Sequence, residues 1–131
     1  MRCGARIGFF RRRHVMKFPV SIIATALLLA GCAAPSDSAR SAGPTKVLSS
    51  NKQDAAVAQC IQVSWQNEAM FGTSSDVFLH KLSGGGFTVF TTEAKYFADV
   101  RSKGPSTDIE FYAPAGDSHS ALRAAAIATC L

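Results

Sequence analysis

Residues 77–112 read VFLHKLSGGGFTVFTTEAKYFADVRSKGPSTDIEFY, four short runs of alternating character parted by turn-forming residues. Apolar and polar side chains alternate through VFLHKL, FTVFTT, AKYFADVR and TDIEFY, the two-residue period of strands that bury one face. Ser83-Gly84-Gly85-Gly86 separates the first two runs and Ser102-Lys103-Gly104-Pro105 the last two, each a hairpin connection built from turn-forming residues. The simplest closure is a four-stranded antiparallel meander. Alternation places Phe87, Val89, Tyr96, Ala98, Val100, Ile109 and Phe111 on one face. The other receives Thr88, Phe90, Thr92, Lys95, Phe97, Asp99, Arg101, Asp108, Glu110 and Tyr112. The first strand stays open, because Val77 and Leu79 oppose Phe78, His80 and Leu82 and either set can join a core.

Helical patterns flank the meander. Ser50 with Gln53 three residues later is a capping-box signature, and Val57, Cys60, Ile61, Ser64 and Trp65 then recur at helical spacing, with Gly72 offering a stop. Beyond the last strand, Asp117 or Ser118 can cap an Ala-rich helix in which Leu122, Ala126 and Cys130 share a face. The expected architecture is therefore α+β: a small single domain over residues 50–131, ordered helix, four-stranded antiparallel meander, helix, with both helices on one face of the sheet.

The charge divides unevenly along the 131 residues. Residues 1–31 carry six basic side chains and no acid, whereas residues 32–131 carry eight basic and nine acidic ones, a net of −1. The folded part has no basic excess for a phosphate backbone, which argues against nucleic acid as partner. Val20 to Ala30, VSIIATALLLA, is an uncharged run of eleven residues after Lys17. A bilayer span needs about 20 apolar residues, so this run fits the apolar core of a secretory signal.

At its end, Leu29-Ala30-Gly31-Cys32 matches all four positions of the lipobox of bacterial lipoprotein precursors: aliphatic, small, Gly or Ala, then Cys. The resemblance covers the leader and implies signal residues 1–31, cleavage between Gly31 and Cys32, and a diacylglyceryl group on the Cys32 thiol. The competing reading is an ordinary signal peptide cut near Ala34. Translation from Met16 gives a compact leader, MKFPVSIIATALLLAG, whereas translation from Met1 adds Arg12-Arg13-His14-Val15-Met16-Lys17, which resembles a twin-arginine signal. Residues 32–49 are dominated by Ala, Ser, Pro and Gly, the composition of a flexible tether. Ala33 after the lipidated Cys leans toward the outer membrane under the enterobacterial sorting pattern. The domain would face the periplasm.

With Cys3 leaving in the leader and Cys32 acylated, Cys60 and Cys130 remain as an even pair, which an oxidising compartment would join. Two buried thiols or a reactive pair are the alternatives, though no Cys-x-x-Cys spacing is present. A disulfide would pin the two helices side by side.

Catalytic and metal-binding patterns are thin. His80 falls in a strand and His119 near a helix start, and neither has a second ligand at metal spacing. Ser118-His119-Ser120 reads as a cap region, and Gly84-Gly85-Gly86 lacks the Lys and following helix of a phosphate loop. The sequence assigns no catalytic residue, no metal and no cofactor. The outer sheet face instead mixes charge with aromatics, and Phe90, Phe97 and Tyr112 rimmed by Lys95 and Arg101 form a candidate partner surface. Two readings compete with that one: the rings pair across strands for stability, or the tether folds back over them. The expectation is a membrane-anchored binding or adaptor module with an envelope protein partner, with a structural envelope component and a small enzyme as alternatives.

Overall fold

The computed structural model describes residues 35–67, 71–72 and 76–131, all within the compact unit Gly31–Leu131. The features expected of the leader, including cleavage at Gly31 and acylation of Cys32, lie outside the described residues, as does the apolar run 20–30. No helix among the described residues is long and apolar enough to cross a membrane.

The chain is α+β. Its elements in order are α1 (Asp37–Ala42), β1 (Lys46–Ser50), α2 (Asp54–Trp65), β2 (Val77–Lys81), β3 (Phe87–Thr91), a 3₁₀ turn (Thr92–Ala94), β4 (Phe97–Lys103), β5 (Ser106–Tyr112) and α3 (Ser120–Ala128). The sheet has five antiparallel strands in the order β1-β5-β4-β3-β2. The meander of residues 77–112 is therefore present, and both the fifth strand and α1 come from the segment expected to be a free tether. The correction has a physical reason. Without β1, the outer edge of β5 would leave a row of backbone donors and acceptors unpaired. Lys46–Ser50 pairs along it from Phe111 to Thr107. Only Leu48 and Ser50 turn inward, while Val47 is 60% exposed, so the strand has almost no compositional signature.

The expected alternation holds through the meander. Val89, Tyr96, Ala98, Val100, Ile109 and Phe111 are buried with Val57, Ala58, Ile61 and Trp65 of α2 and with Ala124, Ala126 and Ile127 of α3. Val77 and Leu79 settle the open question of β2 by joining this cluster. Trp65 meets the edge of Phe111 at 6.0 Å between centroids. Gly86 ends the first hairpin at φ +83°, where a side chain would run into the Val100 carbonyl oxygen, so the turn requires glycine.

Two helix details differ from expectation. The Ser50/Gln53 box is not made: Ser50 closes β1 and accepts from the Lys52 N–H at 3.1 Å, and Gln53 takes the cap position of α2 without a side-chain bond. In α3 the inward residue is Arg123 rather than Leu122, which is 39% exposed. The phase is set by contacts at the far end of α2. Trp65 Nε1 donates to the Arg123 carbonyl at 3.2 Å, and Arg123 Nη1 returns a bond to the Trp65 carbonyl at 3.0 Å. The guanidinium lies against the rings of Phe71, Tyr96 and Trp65, so that cation–π attraction offsets part of its desolvation, which pulls its pKa down. Cys60 and Cys130 are joined, with Sγ atoms 2.02 Å and Cα atoms 5.7 Å apart. Lys52 Nζ reaches the Cys130 carbonyl at 3.1 Å, a cation just beyond the C-terminal end of α3.

Candidate functional site

The second face of the sheet is built in rows by strand register. Phe78 pairs with Phe90, Phe90 with Phe97, and Phe97 with Tyr112, so four rings cross β2, β3, β4 and β5 in one line. Phe78 and Phe90 lie 5.3 Å apart, and Phe97 stacks on Tyr112 at 4.4 Å and 10°. One row along, Thr88 pairs with Asp99 and Asp99 with Glu110. Arg101 then pairs with Asp108.

The candidate surface residues Phe90, Phe97 and Tyr112 are indeed brought together, but they are 6%, 3% and 5% exposed. The expected open patch is therefore corrected to a covered one, since α1 folds back over it. Ser36 caps this helix by accepting from the Ala39 N–H at 3.2 Å, and Gly43 ends it at φ +93°. Ala39 packs on the rings, as does Ala94 from the 3₁₀ turn. Phe78 extends the row and keeps 43% of its surface in water. His80 stands edge-on to Phe90, and His119 occupies the cap position of α3. Among the described residues no group of three or more His, Cys, Asp or Glu side chains is placed to hold a metal ion.

The contact that fixes α1 is ionic. The Asp99 side chain has no exposed surface. Arg40 donates to it twice, from Nε to Oδ2 at 2.7 Å and from Nη2 to Oδ1 at 2.9 Å, the fork geometry that guanidinium and carboxylate share. Thr88 Oγ1 donates to Oδ1 at 2.6 Å, and Arg101 approaches Oδ2 at 3.5 Å. Arg40 also donates to Thr88 Oγ1 at 3.3 Å and to the Pro35 carbonyl at 3.2 Å, and its guanidinium carbon lies 5.1 Å from the centre of the Phe97 ring. Burial alone would raise the Asp99 pKa. The hydrogen bonds from Arg40 and Thr88 and the charges of Arg40 and Arg101 outweigh it and hold the carboxyl below the usual range. Hydrogen bonding to Asp99 correspondingly raises Arg40. Beside this cluster, desolvation and a hydrogen bond to Glu110 push Tyr112 up to about 12.

Lys95 and Arg101 do not act as one rim. Lys95 turns to Asp117 at 3.2 Å, where Tyr96 OH also donates. Arg101 joins a ladder with Asp99 and, at 3.7 Å, Glu110. A polar groove of 230 Å³ follows that ladder past Lys103 and Asp108. A second hollow of 310 Å³ runs beside α1, between Ala42, Lys95, Phe97, Tyr112 and Pro114.

Neither Arg40 nor the burial of Asp99 is among the expectations drawn from the sequence. Two signals were present. Arg40 is the one basic residue in the Ala/Ser-rich stretch 32–45, and Asp99 sits between Ala98 and Val100 in a strand where a carboxylate needs a partner. Comparison with protein-family models, curated proteins and solved structures finds no match, so the functional reading rests on the residues themselves.

Proposed function

We propose that the chain is a lipid-anchored envelope protein, held through Cys32 and facing the periplasm, whose domain is a non-catalytic binding or adaptor module. The observation that carries the anchor is the motif Leu29-Ala30-Gly31-Cys32 directly after an uncharged run of eleven residues. The Cys60–Cys130 bond is of the kind that suits an oxidising compartment, and Ala33 favours the outer membrane. The binding role is supported by the second face, where a buried carboxylate, a hydroxyl and an aromatic ring converge on one guanidinium. These groups recognise shape and charge, and each is already paired.

The docked α1 changes what the anchor does. Three residues separate Cys32 from the cap residue Ser36, so the chain can reach at most about 14 Å from lipid to helix. The domain would be held close to the membrane while α1 is seated. Replacing Cys32 by Ser should move the protein from the membrane pellet to the soluble fraction, because lipid chains contribute about 0.8 kcal/mol per buried methylene. Retention in the pellet after a high-salt wash would remove the anchor. Crosslinking in the native envelope should then recover one partner; recovery with many envelope proteins or with peptidoglycan would favour a structural component instead.

A further inference from the structure

We propose that the pocket around Asp99 is an arginine-recognition site, filled in cis by Arg40, which an arginine side chain of a partner protein enters when α1 lifts. This rests on the binding-module reading and gives its partner a chemistry. The site is a complete receptor for a guanidinium. Asp99 offers both oxygens in plane, Thr88 contributes its hydroxyl, and the face of Phe97 lies against the cation. A lysine ammonium, a point charge without the planar fork, could not satisfy both carboxylate oxygens in this way.

The present occupant is weakly held by everything else. No residue of α1 is buried, and its six residues are too few for a helix that persists without tertiary contacts. Apart from Arg40 over Phe97, Ala39 is the α1 side chain packed against the rings beneath. The hollow of 310 Å³ beside α1 leaves the face larger than the helix covers. In the adjoining groove Glu110 is paired with Arg101 and Asp108 with Lys103, so Asp99 is the one acid there whose main partner comes from α1, and a single guanidinium is the charge the site calls for. Arg40 thus serves as a tethered competitor: it keeps Asp99 paired while the site is free, and it sets the affinity that a partner must exceed.

The test uses the full chain in detergent solution with methylguanidinium as probe and methylammonium as control. Arg40→Ala empties the socket. Methylguanidinium should restore at least half of the Tm that this change removes and should shift the Thr88 and Asp99 amide resonances saturably. Methylammonium should do neither, and the double variant Arg40→Ala/Asp99→Asn should respond to neither cation. Equal responses to the two cations, or an undiminished response in the double variant, would overturn the proposal. Should Arg40→Ala fail to fold, hydrogen exchange of residues 36–43 in the unaltered chain decides: methylguanidinium alone should accelerate it, and unchanged exchange sinks the proposal. None of these readouts depends on acylation, so failure here leaves the Cys32 fractionation result standing, and the reverse.

Discussion

The face packed by α2 and α3 and the face packed by α1 both bury aromatic rings, Trp65 and Phe111 on one side, Phe97 and Tyr112 on the other. They are closed by different physics. Among the described residues, the helix face gathers fifteen buried side chains and is tied by a disulfide, so the loss of any one contact is shared by many neighbours. The strap face gathers three buried rings under a helix that buries nothing of its own and is fastened by one bidentate ion pair. Stability is not uniform across such a structure, because an element with few apolar contacts opens at lower free energy than the core. The helix face therefore sets global stability, and the strap face is where the molecule can open without unfolding.

The largest effects belong to the helix face. Phe111→Ala should cost about 4 kcal/mol in denaturant unfolding, the cost of a cavity in a well-packed core, because the ring lies against Trp65 between sheet and helices. A cost near that of a surface change would mean that the two faces are not as unequal as their contacts imply. Breaking the Cys60–Cys130 link comes next. It closes a separation of 70 residues, which the chain-entropy picture values at about 4 kcal/mol at most, often less. Cys60→Ala and Cys130→Ala should each lower stability alike, and the double change should add nothing further. Unequal single variants would show that one thiol has a packing role of its own.

The same asymmetry explains what could be read from the sequence. Alternation in residues 77–112 was legible because the helix face is large and apolar, so the period survives every strand. Even there Leu122 misled, since counting apolar residues gives no weight to an arginine that lies against three rings. The strap face was legible in its floor, and in its cover only as the alternative that the tether folds back, without the residues that fasten it. Phe90, Phe97 and Tyr112 stand out on a face expected to be polar, whereas α1 and β1 dock through one side chain and a row of backbone hydrogen bonds, neither of which leaves a hydrophobic pattern. Arg40 and Asp99 are 59 residues apart, and no local rule joins them.

A middle-sized effect should mark the strap. Arg40→Ala takes the bidentate partner from a carboxylate that has no exposed surface and leaves it only Thr88 and the more distant Arg101, and removing one partner of an enclosed pair costs about 3–5 kcal/mol. The Arg40 side chain keeps 25% of its surface in water, which brings the expected loss to about 2 kcal/mol. Asp99→Asn in the same background should cost less than the two single changes added together, because the pair is lost only once. The pH dependence follows in sign. Asp99 is depressed in the fold, so the pair's contribution is fully present above the ordinary carboxylate pKa and is lost as pH falls through the lower folded value. The stability gap between the unaltered chain and Asp99→Asn should hold at neutral pH and close under acid. A gap that persists at low pH would mean that Asp99 contributes by shape and not by charge.

The smallest expected effect lies at the turn bordering both regions. Glu93 and Ala94 adopt φ of +62° and +51° in succession, a left-handed pair that a two-residue reversal usually assigns to Asn and Gly. Each such residue costs roughly 1 kcal/mol relative to a relaxed backbone. Ala94 has a reason to stay, since it packs on the ring row, but Glu93 is exposed. Glu93→Gly should relieve the strain and give back part of the gain through unfolded-state entropy, for a net rise of about 0.5 kcal/mol. If the turn only joins β3 to β4, hydrogen exchange in residues 36–43 should be unchanged while global stability rises. Faster exchange there would show that the strained turn, by presenting Ala94 to the rings, helps to seat α1. The strap would then be fastened at two points, and the Arg40 pair would account for less of its hold.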